Sequence, residues 1–400
     1  MDRLFASMQQ RLDATASMFL RYIYPSIDWD ARLLGLTGPR GVGKTTLLLQ
    51  RIKLAHSASG GASSEALFIS AGDMHFASHS LLETAEEFNK AGGTRLFVDE
   101  VHRYPGWASE LQAICDTLPD MHVCFSGPSI IEHQKGIEDL IREASMYRMQ
   151  GLSFREYLAI REGIEFEPFS LQQILSNEAE IPGVNHPLPL FAEYLKTGYY
   201  PFGPELDFSV GIGRVIAMSL EVDIPQVAGM NAGAGMKLKR LLAAVGGGTA
   251  RKPNMSRLGA LMGVSRNNVE DYLGHLENAG LISQVRKREK GQQKGPGQGD
   301  QPEAEAALRS PRGRVDKVYL DNTNILYALA EDGVDEATVR RTFFNNQARV
   351  LGDVRASAMS GFKLGGAAAG ASSNRGLVLK ADIERGRDNV VPLWAFGLGY

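Results

Sequence analysis

Residues Gly38-Pro39-Arg40-Gly41-Val42-Gly43-Lys44-Thr45 match the pattern G-x-x-x-x-G-K-[ST] position for position. No other stretch constrains the chain as tightly, because the pattern works only where a buried strand runs into a helix. The flanks supply that context: residues 32–37 form a Leu-rich run suited to a buried strand, and Thr46 to Gln50 continue as a helix. Gly38, Gly41 and Gly43 allow backbone angles closed to residues with a Cβ, so successive N–H groups can turn inward around phosphate oxygens at a helix N-terminus. Lys44 adds a mobile positive charge for the β- and γ-phosphates. The Thr45 hydroxyl is a hard oxygen ligand suited to magnesium. The expectation is a nucleotide site over Gly38, Pro39, Arg40, Gly41, Val42, Gly43, Lys44, Thr45 and Thr46, with ATP and Mg2+ as its ligands.

A second strand fits residues 66–70 and a helix fits 81–90, so strands and helices alternate as in a parallel sheet covered on both faces. A third apolar run, Leu96, Phe97 and Val98, ends in Asp99-Glu100. Beside a phosphate loop, Asp99 is expected to hold the magnesium shell. Glu100 is expected to polarise the water that attacks the γ-phosphate, a task for an ionised carboxylate one hydrogen bond from that water. A fourth strand, 121–125, leads to Ser126-Gly127, where Ser126 either senses the γ-phosphate or caps a helix beginning near Ser129. Arg142 and Arg155 are candidates for the positive group that offsets transition-state charge, against the alternative of surface salt bridges. His102, Trp107, His122 and His133 have no metal-ligand spacing and receive no role. Apolar positions at helical spacing over residues 4–24 suggest one or two packing helices ahead of the first strand.

The 400 residues suffice for two or three domains, and a composition 44% hydrophobic and 22% charged excludes disorder throughout. A net charge of −3 gives no global preference for nucleic acid, so any such binding must come from a local patch. Cys115 and Cys124 cannot build a disulfide framework or a zinc site alone and suit the core of a cytoplasmic protein. No apolar run reaches the roughly 18 residues of a membrane span, and no signal peptide is evident.

Several blocks together carry a family resemblance: GPRGVGKTTLLLQ (38–50), LFVDEVHRYPGW (96–107), CFSGPSI (124–130), GLSFREYL (151–158), YLKTGYYPF (194–202), EVDIP (221–225), DNTNILYAL (321–329) and PLWAFGLGY (392–400). Nearly the whole chain resembles the prokaryotic AAA-type P-loop ATPases that carry a C-terminal nuclease-like domain of unknown function. The resemblance implies a five-stranded parallel ATPase core, then a winged helix, then a small α+β restriction-nuclease-like domain. It implies catalytic roles for Lys44, Glu100 and Ser126, and metal contact by Thr45 and Asp99. The family's paired arginines after an Asp-Leu step fall at Asp139-Leu140-Ile141-Arg142-Glu143, where Arg142 alone remains as a catalytic arginine. The expected division is an ATPase core over 1–160, a helical connector over 161–235, a winged helix over 236–316 and the nuclease-like domain over 317–400.

In the C-terminal half, helices fit 255–262 and 266–279, separated by the turn Gly263-Val264-Ser265 and followed by Gly280 and a strand over 281–285. That is the order of a winged helix. Arg266, Asn267, Asn268 and His275 are suited to a DNA groove, while such modules also bind protein, so both partners stay open. Residues 286–314, rich in Gly, Pro, Gln and charge, form either a solvated linker or an overgrown wing whose Arg286, Lys287, Arg288, Lys290 and Lys294 meet phosphates. Farther on, strands fit 317–320 and 376–379, with a helix over 325–329. A nuclease of the implied fold needs Asp…Glu-x-x-x-Lys across a hairpin and a further Glu on a preceding helix. The aligned positions carry Asp353, Lys363 and Ala367, with Arg341 on the helix. With one acid of three, no divalent metal binding and no phosphodiester cleavage are expected there. A DNA-binding regulator that uses ATP only as a ligand, and a nuclease gated by ATP, stand as the alternatives. The oligomeric state is open.

Overall fold

The computed structural model describes residues 1–16, 19–58, 64–202, 207–231, 233–247, 252–287, 314–330, 333–351, 362–365 and 377–400. The chain divides into two units: Met1–Gly151 with Val222–Asn231, and Leu152–Glu221 with Ala232–Tyr400. Ten residues from inside the expected 161–235 connector therefore join the first unit.

The first unit is built on five parallel strands, β1 (Leu33–Gly38), β2 (Ala66–Ser70), β3 (Arg95–Asp99), β4 (His122–Pro128) and β5 (Ser145–Arg148), in the order β2-β3-β4-β1-β5. Every residue of β1 is buried, as a central strand covered on both faces requires. The register pairs Leu34 with Cys124 and Val98 with Phe125, which brings the C-terminal ends of β1, β3 and β4 to one edge. The strands expected at 32–37, 66–70, 96–98 and 121–125 are present within a few residues; β5 had no period of its own in the sequence.

Helix α1 (Asp2–Ala14) buries Leu4, Met8 and Leu12, one per turn along a single stripe. The helical spacing continues in sequence to Ile23, but the helix stops at Ala14. Thr15 turns extended there, its N–H bonded to the Leu12 carbonyl and its hydroxyl to that of Arg11, which satisfies last-turn acceptors. Helix α2 (Lys44–Ala58) follows the loop, α3 (Leu81–Lys90) starts at a Ser80/Glu83 capping box, and α4 (Trp107–Thr117) inserts Trp107. Leu67, Ile69, Phe88, Leu96, Val98, Trp107, Val123 and Phe125 close the core. Burying a side chain such as Phe125 stabilises the unit by about 2 kcal/mol relative to leaving it in water. Cys115 and Cys124 are buried and unpaired.

The second unit has its own core, with Phe154, Tyr157, Leu158, Phe191, Tyr194, Phe343, Trp394 and Phe396 at its centre. Its first helix, Phe154–Glu162, opens with a Ser153/Glu156 capping box and closes at Gly163 in the left-handed region. The helices Met255–Met262 and Arg266–Asn278 occur where the sequence predicts them, and the Ser265 hydroxyl accepts from the Asn268 N–H as an N-cap. They lead into β6 (Ile282–Lys287), which pairs antiparallel with β7 (Arg314–Leu320). The basic run from Arg288 to Gly313 lies outside the described residues. Strands β8 (Phe362–Gly365), β9 (Leu377–Lys380) and β10 (Val390–Pro392) pair in parallel in the order β10-β9-β8. Lys363 is on β8 and Arg341 is exposed on the helix Glu336–Val350, while Asp353 and Ala367 lie outside the described residues. Among the described residues, no helix is long and apolar enough to cross a membrane.

Candidate functional site

Strand β1 ends at Gly38, whose φ of 153° and surroundings admit no side chain: a Cβ there would lie 2.2 Å from the Met149 carbonyl oxygen. The backbone then curls through Gly41 and Gly43, the latter at φ 101°, and enters α2 at Lys44. Arg21 braces this loop from behind. Its guanidinium is buried and donates to the carbonyls of Val42 at 2.6 Å, Gln150 at 2.8 Å and Gly151 at 2.9 Å. The Val42 carbonyl thus has its acceptor role filled by Arg21.

Lys44 is buried, and its Nζ donates to the carbonyls of Gly38 and Pro39 at 2.8 and 2.9 Å. Burial pulls its pKa down to about 8 against the attraction of Glu100 and Asp99. It therefore stays largely protonated at neutral pH, ready to gain from an arriving negative charge. The Thr45 hydroxyl donates to Asp99 Oδ2 at 2.8 Å, and the Ser126 hydroxyl donates to Asp99 Oδ1. Burial raises the Asp99 pKa, opposed by these hydroxyls. A hydroxyl and a carboxylate in contact at the mouth of the loop are hard oxygen donors, the set that suits magnesium. Ser126 also accepts from the Glu100 N–H at 3.3 Å, so it ties the ends of β3 and β4 together. The helix-capping alternative for Ser126 is not realised: the short 3-10 turn Ser129–His133 carries no side-chain cap.

Glu100 sits at φ 56°, a left-handed conformation unusual for a residue with a Cβ, immediately beyond β3. Its carboxylate faces three cationic or ring nitrogens: Arg40 Nη2 at 2.8 Å, Arg103 Nε at 3.6 Å and His102 Nε2 at 3.7 Å. Arg40 is bound on its other side to Asp223, with Nε to Oδ2 at 2.6 Å and Nη2 to Oδ1 at 2.7 Å. His102 Nε2 also meets Asp223 Oδ1, at 3.2 Å. Burial alone would raise the Asp223 carboxyl, but hydrogen bonds from His102 and Arg40 hold it at about 2. For Arg40, burial opposes the charge while Asp223 and Glu100 carry its pKa above the usual arginine value. Glu100, His102 and Asp223 offer three potential metal ligands within 4.8 Å of one another. The Arg40 guanidinium already bridges the two carboxylates and supplies the cation that a metal would otherwise bring.

The structure thus gathers Lys44, Thr45, Asp99, Glu100 and Ser126 at one sheet edge, as the motifs predict. Pro39 and Val42 are buried in the loop, and Thr46 is exposed just past it. Arg142 is not gathered with them: it is exposed and paired with its neighbour Asp139 at 2.9 Å. Arg155 belongs to the second unit, where it donates to the carbonyls of Tyr400 and Phe166 at 3.0 and 2.9 Å. Four residues with a part in the site carried no assignment of that kind in the sequence: Arg21, His102, Arg103 and Asp223. For Asp223 the available signal was the EVDIP block, with an acid two residues ahead of a helix-starting proline.

Loop, sheet order and paired carboxylates define a P-loop NTPase α/β fold for the first unit. Residues 30–158 match the family described as AAA domain, and residues 189–295 match a domain of unknown function (DUF8612). Similar solved structures include the RuvB Holliday junction branch migration motor of Thermotoga maritima, at 14% identity and TM-score 0.28 over 70% of this chain and 89% of that one. The ORC1 protein of Aeropyrum pernix in complex with DNA matches at 14% identity and TM-score 0.32 over 82% and 92%. AMPPCP-bound DnaA from Aquifex aeolicus matches at 12% and 0.27 over 64% and 84%. No curated protein matches the chain in sequence.

Proposed function

We propose that the first unit binds ATP with magnesium and hydrolyses it, and that the C-terminal half responds to that cycle. The reading is supported above all by one observation: Lys44, Thr45, Asp99, Glu100 and Ser126 converge at the mouth of the glycine-rich loop between β1 and α2. The loop amides and Lys44 would hold the phosphates. Thr45 and Asp99 would hold magnesium, which when bound neutralises charge between the phosphate groups. Glu100 would orient and deprotonate water, Ser126 keeps Asp99 and Glu100 in register, and Arg21 keeps the loop from relaxing. A phosphate-release assay tests this with wild type, Lys44→Ala and Glu100→Gln, with and without DNA. Glu100→Gln is expected to keep nucleotide binding and lose at least about 100-fold in turnover, the usual size of a lost general base. Full turnover in that variant would remove Glu100 from the chemistry, and nucleotide binding without phosphate release in wild type would leave only the ligand role for ATP.

A DNA contact by the second unit is supported by one feature. Two capped helices and the antiparallel pair β6–β7 follow one another in winged-helix order, and Arg266, Asn267 and Asn268 are all exposed at the start of the second helix. The DNA arm of the assay tests it: no stimulation and no retardation of duplex DNA would favour a protein partner. We keep a nuclease-like but non-cleaving role for the last segment, since Arg341 stands where an acid is required. The buried, unpaired Cys115 and Cys124 support a reducing, cytoplasmic setting.

A further inference from the structure

Arg40 occupies one of the unspecified positions of the loop pattern, so holding phosphates does not by itself call for an arginine there. In the structure it nonetheless has two carboxylate partners. Nε and Nη2 bind both oxygens of Asp223, and Nη2 reaches Glu100 at 2.8 Å. Asp223 comes from 183 positions along the chain. It belongs to Val222–Asn231, a segment of the first unit whose flanking residues Glu221 and Ala232 are both assigned to the second unit. The segment is fixed at two further points: Gln226 Nε2 donates to the His102 carbonyl at 2.7 Å, and Val227 packs on the first unit's core.

A guanidinium binds a phosphate in the same forked geometry as a carboxylate. Arg40 is anchored by its own backbone in the phosphate loop, so a γ-phosphate there competes with Asp223 and Glu100 for the same donors. While Glu100 Oε2 accepts from Arg40, the carboxylate is pinned by that bond and has fewer acceptor sites to turn toward water. Asp223, 1% exposed, cannot lose Arg40 without leaving a buried charge with His102 as its remaining ring partner.

We propose that Asp223 is a positioning residue for this site: it holds Arg40 against Glu100, and transfer of Arg40 to the γ-phosphate frees Glu100 for water and loosens the segment Val222–Asn231. Nucleotide occupancy thereby passes to the chain on either side of that segment. The proposal rests on the ATPase reading above. Linkage makes the effect reciprocal: whatever draws Asp223 away from Arg40 tightens nucleotide binding by the same factor, about 5- to 150-fold for couplings of ordinary size.

Hydrogen–deuterium exchange on the full chain separates the possibilities, using magnesium and a non-hydrolysable ATP analogue with wild type, Asp223→Asn and Arg40→Lys. The analogue is expected to slow exchange over residues 38–47 in all three proteins. In wild type it should speed exchange over 222–231 by about fivefold or more, the lower end of ordinary coupling. In both variants 222–231 should exchange fast without the analogue and respond little to it, since lysine is a point charge that cannot span both acids. If Asp223→Asn fails to fold, Arg40→Lys carries the test. Protection of 38–47 with no change over 222–231 in wild type would overturn the role of Asp223 and leave the ATP site standing. No protection of 38–47 would remove both.

Discussion

Replacing Lys44 by methionine should make the protein more stable while it removes nucleotide binding. Burial lowers the Lys44 pKa from the usual 10.5 to about 8. At ~1.36 kcal/mol per pH unit, holding this lysine charged in the folded protein costs about 3 kcal/mol at pH 7. Against that stand the bonds from Nζ to the Gly38 and Pro39 carbonyls, worth about 1 kcal/mol each. Methionine has similar length and no charge, so Lys44→Met should gain about 1 kcal/mol, or about 2–4 °C in melting temperature for a unit of this size. The sign follows from proton counting. Below pH 8 lysine is charged in both states and the cost is complete; between about pH 8 and 10.5 the folded lysine discharges while the unfolded one does not, so wild-type stability rises with pH and the variant's advantage shrinks. Denaturant unfolding followed by tryptophan fluorescence at pH 7 and pH 10 measures both quantities, and titration with a fluorescent nucleotide measures binding. A variant less stable than wild type at pH 7, or an advantage that grows with pH, would refute the reasoning.

Other outcomes follow from the same geometry. Nucleotide binding near pH 8 should take up a fraction of a proton, because phosphate restores the charge of Lys44; calorimetry in buffers of different ionisation heat reads this directly. Asp223 should contribute about 2 kcal/mol of stability above pH 3.8, lost as pH falls toward its folded value of about 2, and Asp223→Asn should flatten that limb of the acid-unfolding curve. Gly38→Ala forces a Cβ to within 2.2 Å of the Met149 carbonyl oxygen and should cost on the order of 3 kcal/mol, seen as a lower melting temperature together with weakened nucleotide binding.

The part of the site that could be read from the sequence is the part written locally. Gly38 to Thr45 fix a backbone path among themselves, and Asp99, Glu100 and Ser126 follow apolar runs whose strand character is plain. Arg40 could be assigned only to the loop, because its partners are chosen by the fold: one lies 60 positions away and the other 183. Arg21 was hidden for the same reason, since its acceptors are backbone carbonyls that any sequence supplies. Strand β5 has a half-buried, mixed surface at the sheet's edge, so it left no alternation to detect. Arg142 looked catalytic by its neighbourhood in sequence, yet an i,i+3 partner on an exposed helix turn is enough to occupy it.

The return of the chain into the first unit at Val222 bears on how a fragment should be cut. A piece ending near residue 160, where the motifs thin out, would carry every residue of the loop but would omit Asp223, Gln226 and Val227. Its Arg40 would keep Glu100 as its carboxylate partner from this pair, and the patch under Val227 would lie bare. Kinetics measured on such a piece would describe a different machine; an expression design that spans residue 231 keeps the electrostatic wiring whole.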